Sequence, residues 1–204
     1  MKRGHVGTVC GEEANDLRYW RTALRTWELA QPHIEDMLRI VSPENGKCFP
    51  SVLDLGCGSG RFIPFLLSVA NNYVGVDHAE LALKIAGGRF GCPNIRFHQA
   101  MLTNLPHQVG RASLIWSCTT LQHVVEPEDF ELAITQLSQH AAKDSFLLLH
   151  ENSTDTQMRR SHCRPRSPRV YLDELEKHGW EYLASGPGIR DDNDTHTILT
   201  AIMR

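Results

Sequence analysis

The sequence predicts an α/β domain built around a mostly parallel sheet of seven strands, and three observations carry that expectation. Short apolar runs alternate with stretches of helical periodicity from residue 51 onward, the pattern of successive βαβ units. The runs LIW (114–116) and FLLL (146–149) are continuously apolar, as strands covered on both faces are. Finally, an apolar run leads straight into a glycine cluster, VLDLGCGSG over 52–60, at the strand-to-helix turn where such sheets hold their ligands.

The elements follow in order. Residues 12–40 carry Leu17, Trp20, Leu24, Trp27, Ile34, Met37 and Leu38 roughly on one stripe, and Pro32 splits them into two helices. The polar turn SPENGKCFP (42–50) separates these helices from the first strand, 51–55. Then come a helix over 61–70, a strand over 73–77, a helix over 80–90 and strands over 95–99 and 112–117. A helix over 129–142 precedes the most apolar strand, 145–151; a polar loop leads to a helix over 170–179, and two last strands fall near 180–185 and 195–203.

Size and composition narrow the class. The chain has 204 residues, enough for one compact domain, 1–204, with a core that needs no staples. A formal charge of −3 gives no general attraction to polyanions, so nucleic acid is disfavoured as a partner. None of the six cysteines forms a Cys-x-x-Cys pair, which argues against a zinc site, so no metal is expected. The first sixteen residues lack a continuous apolar stretch and no run approaches a membrane span. The expectation is a cytoplasmic protein with free thiols and no membrane partner.

Two ligands compete for the glycine loop. A dinucleotide needs G-x-G-x-x-G, but here Gly56, Gly58 and Gly60 are evenly spaced and Arg61 stands where the third glycine belongs. A nicotinamide-dependent oxidoreductase is disfavoured on that ground. The other candidate is S-adenosylmethionine, which lacks phosphate and needs backbone room for its methionine tail and an acid for its ribose hydroxyls. LDLGCGSG, the acid Asp77 ending YVGVD, LIWSCTTLQHV (114–124) and HGWEYL (178–183) together resemble the class I S-adenosylmethionine-dependent methyltransferases from about residue 50 to the end.

That resemblance implies a three-layer Rossmann-like fold with helices on both sheet faces and N-terminal helices, within 1–45, capping the cofactor site. It implies that Asp54 orders the loop, that the glycines with Cys57 admit the methionine part, and that Asp77 accepts from both ribose hydroxyls. His78 and Leu102 would flank the adenine, Ser117 would join the cofactor set from the fourth strand, and Tyr19 would reach the cofactor's carboxylate or the substrate. Trp116 could equally wall the adenosyl pocket or pack in the core. Where many members place an acid for the adenine amine, three residues ahead of Asn104, this chain has Met101. Adenine recognition then falls to backbone groups and apolar packing.

Methyl transfer needs an aligned nucleophile and, where the nucleophile carries one, removal of its proton. His123, after the fourth strand, is of a type suited to proton transfer near neutrality. Glu151, ending the fifth, is a rim carboxylate that needs either a partner or a function. His150 and Glu151 point to opposite faces of that strand, and Glu151 is the one expected at the pocket, with Asn152 beside it. The pair His123 and Glu151 resembles the histidine and strand-five acid of methyltransferases acting on peptide α-amines. The loop over 152–170 holds RRSHCRPRSPR (159–169), with five arginines in eleven residues, where this family often inserts substrate-covering elements. Arg166 and Tyr171 are its candidate substrate contacts; Trp20 is a further one. The expected activity is methylation of an amine or hydroxyl of a small metabolite, with S-adenosylhomocysteine as product. The alternatives are a peptide N-terminal or nucleic-acid methyltransferase, and a non-catalytic subunit that binds the cofactor without using it.

Overall fold

The computed structural model describes residues 32, 34, 35, 38, 49–153, 163–190 and 195–203, the segments 187–190 and 195–199 by backbone alone. Seven strands form one sheet in the order β3-β2-β1-β4-β5-β7-β6. β1 (Phe49–Leu55) lies at the centre, parallel to β2 (Ala70–Asp77) on one side and to β4 (Ala112–Cys118) on the other. β3 (Ile95–Gln99) extends the first half and β5 (Ala141–Asn152) the second, both parallel. β7 (Thr195–Met203) enters antiparallel between β5 and β6 (Trp180–Arg190). The strand order therefore reverses between β1 and β4, and the crevice at their carboxyl ends is where a ligand belongs in such a sheet.

The helices are α1 (Ile63–Val69), α2 (Glu80–Arg89), α3 (Pro127–Gln139) and α4 (Pro168–Glu176). Strand alternation divides the core into two layers. Leu53, Leu55, Ile115, Leu147 and Leu149 face Phe130, Ile134 and Leu137 of α3 and Tyr171 and Leu175 of α4. Val52, Tyr73, Leu114, Trp116 and Leu148 face Ile63 and Leu66 of α1, together with Ile34 and Leu38.

Most element boundaries match the sequence reading within two or three residues, β6 runs on to Arg190 rather than 185, and three shifted starts have local causes. α3 starts at Pro127, not at 129, because proline loses nothing in a first turn and Glu128 and Asp129 favour its positive end. α1 starts two residues late because Arg61 and Phe62 complete the turn begun at Gly60, whose φ is +86°. β5 begins at Ala141 rather than 145, through an irregular stretch where the register shifts opposite Ala112 and Leu114 and Asp144 adopts φ +58°. Its apolar signature begins only beyond that stretch. No helix among the described residues is long and apolar enough to cross a membrane.

Candidate active site

The loop after β1 is shaped by its glycines. Gly56, Gly58 and Gly60 all have positive φ, at +72°, +54° and +86°, a region that costs side chains with a Cβ. Their surroundings differ. A Cβ on Gly56 would fall 2.3 Å from Oγ1 and Cγ2 of Thr120, and one on Gly60 would fall 2.7 Å from Ile63. At Gly58 a Cβ would meet nothing within 4 Å among the described residues, so the middle of the loop borders space open to them.

Asp77, at the carboxyl end of β2, anchors this loop. Its Oδ2 accepts from the Gly58 amide at 2.9 Å and its Oδ1 from the Ala79 amide at 2.8 Å. Each oxygen keeps a further lone pair, so the carboxylate can hold the loop and still accept from a diol. His78, half exposed, sets its Nδ1 3.4 Å from Asp77 Oδ1. The β3 end is drawn to the same place: Ala100 N–H donates to the Asp77 carbonyl and Gln99 Nε2 to that of His78. Beneath the loop Asp54 is buried and accepts from the Tyr73 hydroxyl at 2.6 Å. Burial pushes its carboxyl up to about 7, the Tyr73 bond holds it down, and the charge of Asp77 adds to the rise.

Across the switch point, the turn after β4 is held by long-range side chains. Glu151 is buried, and its Oε1 accepts from Ser117 Oγ at 2.9 Å and from the amides of Thr120 and Leu121 at 3.1 Å. Its Oε2 accepts from the Gln122 amide at 3.1 Å. Burial raises this carboxyl above its usual range, while the three amides and the hydroxyl hold it back. On the opposite strand face, Cys118 Sγ lies 3.2 Å from His150 Nδ1. Burial pushes the Cys118 thiol up to about 12, so it stays protonated there. His123 is exposed at the rim, with Nε2 3.4 Å from the Gln122 amide nitrogen.

Residues 52–144 match the family model described as a methyltransferase domain. A curated relative, the 2-heptyl-1-hydroxyquinolin-4(1H)-one methyltransferase of Mycobacteroides abscessus, is 32% identical over 96 residues. That match covers 46% of this chain, and the chain spans about two-fifths (41%) of that relative's length. Among solved structures, the N-methyltransferase NodS of Bradyrhizobium japonicum in complex with S-adenosylhomocysteine superposes with a TM-score of 0.79 at 14% identity. That superposition covers 96% of this chain and 97% of the other. The 1,6-didemethyltoxoflavin-N1-methyltransferase of Burkholderia thailandensis gives 0.71 at 17% identity, over 96% and 84%. Residues 52–144 are thus similar to a methyltransferase domain, and the chain shares the fold of these solved methyltransferases.

The glycine loop fits S-adenosylmethionine, the cofactor of the proteins it resembles, on this chain's own geometry. The space beside Gly58 is open, and Asp77 stands next to it with lone pairs to spare. Gly56, Gly58, Gly60, Asp77, His78, Met101 and Leu102 gather at the carboxyl ends of β1 to β3, with Met101 exposed and Leu102 partly buried. Cys57 turns its side chain into the core, close to Gly75, and offers the site only backbone. Ser117 is spent on Glu151. Trp116 is buried against Phe62 and Phe65, in the core rather than as a wall. Asn152 is buried, its amide donating to Gln122 Oε1. Arg166 and Tyr171 are buried too, and Tyr19 and Trp20 lie outside the described residues.

Sequence reasoning missed Tyr73, Thr120 and Gln122. The only available signal was a tyrosine among aliphatic residues in a buried strand, which needs a partner for its hydroxyl. Thr120 and Gln122 act through contacts that no local pattern announces.

Proposed function

We propose that this chain transfers the methyl group of S-adenosylmethionine to an amine or hydroxyl of a small metabolite. The carrying observation is the Asp77 carboxylate, fixed by two amides beside the open face of Gly58 at the β1/β4 switch point. In this reading Asp77 receives the ribose hydroxyls, the backbone of 56–60 receives the methionine part, and His78 and Leu102 border the adenine. The cofactor supplies an electrophilic methyl group on a sulfonium centre; the protein aligns the acceptor for in-line displacement. His123, exposed at the rim of the β4 turn, takes the acceptor's proton. Relatives named for a hydroxyquinolinone and a didemethyltoxoflavin support a small heteroaromatic acceptor.

Calorimetry with S-adenosylhomocysteine tests the cofactor assignment. Losing two charge-assisted bonds in Asp77→Ala should weaken binding by about a hundredfold or more, with Asp77→Asn less affected. Wild-type protein that binds nothing, or an Asp77→Ala variant that binds as well, would sink the reading. Methyl-labelled cofactor with a panel of hydroxylated and N-heteroaromatic acceptors, read by product mass, then identifies the substrate. His123→Ala should slow transfer to that acceptor while S-adenosylhomocysteine affinity stays within about threefold.

A further inference from the structure

The methyl-transfer reading leaves two groups without a role, the buried Glu151 and the buried end of the arginine stretch, and both converge on one turn. We propose that Glu151 and Arg166 are positioning residues that lock the 119–125 turn against the glycine loop and so fix the cofactor site from the β4 side. What the site holds rests on the methyltransferase reading; the clamp itself does not.

The turn's backbone groups carry the case. Its amides at Thr120, Leu121 and Gln122 all donate to Glu151. Its carbonyls go the other way: Arg166 Nη1 donates to Leu121 O at 3.2 Å and Nη2 to Val124 O at 2.6 Å. Arg164 takes two more, its amide donating to Gln122 O at 2.7 Å and its Nη1 to Val125 O at 3.3 Å. A turn with Leu121 and Gln122 buried must satisfy these groups somewhere, and here an anion collects the donors while a cation collects the acceptors. Arg166 is seated for this work, with its Cζ 3.9 Å over the Phe130 ring of α3.

Two further features connect the turn to the cofactor loop. Thr120 rests on Gly56 so closely that not even a methyl group fits between them. Thr119, a β-branched residue at φ +53°, occupies a conformation that persists only where its surroundings enforce it. Its amide is held by the His150 carbonyl at 2.7 Å, next in sequence to Glu151. A shift of the turn would therefore be felt directly at Gly56. Glu151 is poorly placed to serve as a base, because its Oε1 already accepts three bonds and its Oε2 one.

Amide exchange read by mass spectrometry, combined with calorimetry using S-adenosylhomocysteine, tests the clamp. The variants are Glu151→Gln, Glu151→Ala, Arg166→Met and the Glu151→Gln/Arg166→Met double. In each single variant, exchange over 119–125 should rise about tenfold or more while β1 and β2 keep wild-type rates. S-adenosylhomocysteine affinity should fall about tenfold in Glu151→Gln and in Arg166→Met, and further in Glu151→Ala, since glutamine keeps one oxygen acceptor. Because both residues act through one turn, the double variant should lose about thirtyfold or less, not the hundredfold of independent sites. Multiplicative losses, unchanged exchange over 119–125, or wild-type affinity in both single variants would overturn the proposal. Wild-type protein that binds no S-adenosylhomocysteine removes the methyltransferase reading, while ligand-free exchange still judges the clamp. Should Glu151→Ala fail to fold, Arg164→Ala deletes only the bond to Val125. It should speed exchange at the end of the turn severalfold, and unchanged exchange there counts against the clamp.

Discussion

The loop after β1 and the turn after β4 face each other across the reversal of strand order, yet they keep their shapes by opposite means. The first is local: three left-handed glycines and one acid from the adjacent strand define it. The second has no glycine, includes a strained threonine, and depends on side chains some 30 and 45 positions away. The first leaves backbone uncovered by the described residues, whereas the second presents its backbone to protein. A site of this kind needs both, because an open cradle keeps its dimensions only if the opposite wall cannot move.

A methyl group added at two positions of the glycine loop separates these two means of support. Gly56→Ala combines a positive φ with a 2.3 Å contact to Thr120, and should cost about 3 kcal/mol of stability or more in urea unfolding. Gly58→Ala shares the positive φ but meets open space, so it should cost only about 1 kcal/mol. Its effect belongs instead to S-adenosylhomocysteine, whose affinity should fall about tenfold as the methyl enters the cradle. Thr120→Gly in the Gly56→Ala background should recover the contact part of the loss and leave the backbone part. Equal stability losses at the two glycines would show that the turn does not press on the loop.

The two buried carboxylates make the same contrast in pH. Asp54 is pushed from 3.8 up to about 7, with burial the largest cause. Between about pH 4 and 7 the folded protein keeps a proton that the unfolded chain has released. Stability from Asp54 is thus full below pH 4 and falls as pH rises through 7. Asp54→Asn should flatten that fall and leave the variant more stable than wild type at pH 8, by about 2 kcal/mol. Glu151 is also raised by burial, but four donors depend on it. Glu151→Gln should therefore destabilise at pH 8, also by about 2 kcal/mol. Opposite signs in the two urea series support one carboxylate as a buried, weakly satisfied acid and the other as an anchor.

The same difference decides what could be read from the sequence. The glycine loop, Asp77 at a strand end and the succession of strands and helices were legible because each is written within a single βα unit or in the apolar pattern. The need of Glu151 for a partner was legible as well, since a rim carboxylate cannot stay buried alone. Its partners were not, because they are backbone amides, which carry no residue identity. Arg166 departs from its sequence expectation for a related reason. Five guanidinium groups in eleven residues suggest substrate or solvent, whereas Arg166 is drawn inward by carbonyls that the β4 turn leaves unpaired. The bond from Tyr73 to Asp54 joins adjacent parallel strands 19 residues apart, and the register that makes it is fixed only by the assembled sheet.

A third loop, after β3, gives the smallest effect and sharpens the contrast further. Ala100 and Gln99 tie it to Asp77 and His78, as tightly as the glycine loop is tied, but the neighbouring Met101 is 54% exposed and brings no acceptor. If adenine lies along this edge, recognition of its amine falls to backbone oxygens alone. Met101→Asp would supply a side-chain acceptor on a loop whose position is already set. One added hydrogen bond of that kind should tighten S-adenosylhomocysteine binding about threefold to tenfold in calorimetry. The gain should vanish for an analogue lacking the exocyclic amine, because nothing then donates to the new carboxylate. An equal gain with that analogue would trace the effect to charge rather than to adenine recognition. No gain with either ligand would place the base away from this loop, and adenine selectivity would then rest wholly on the β2 side.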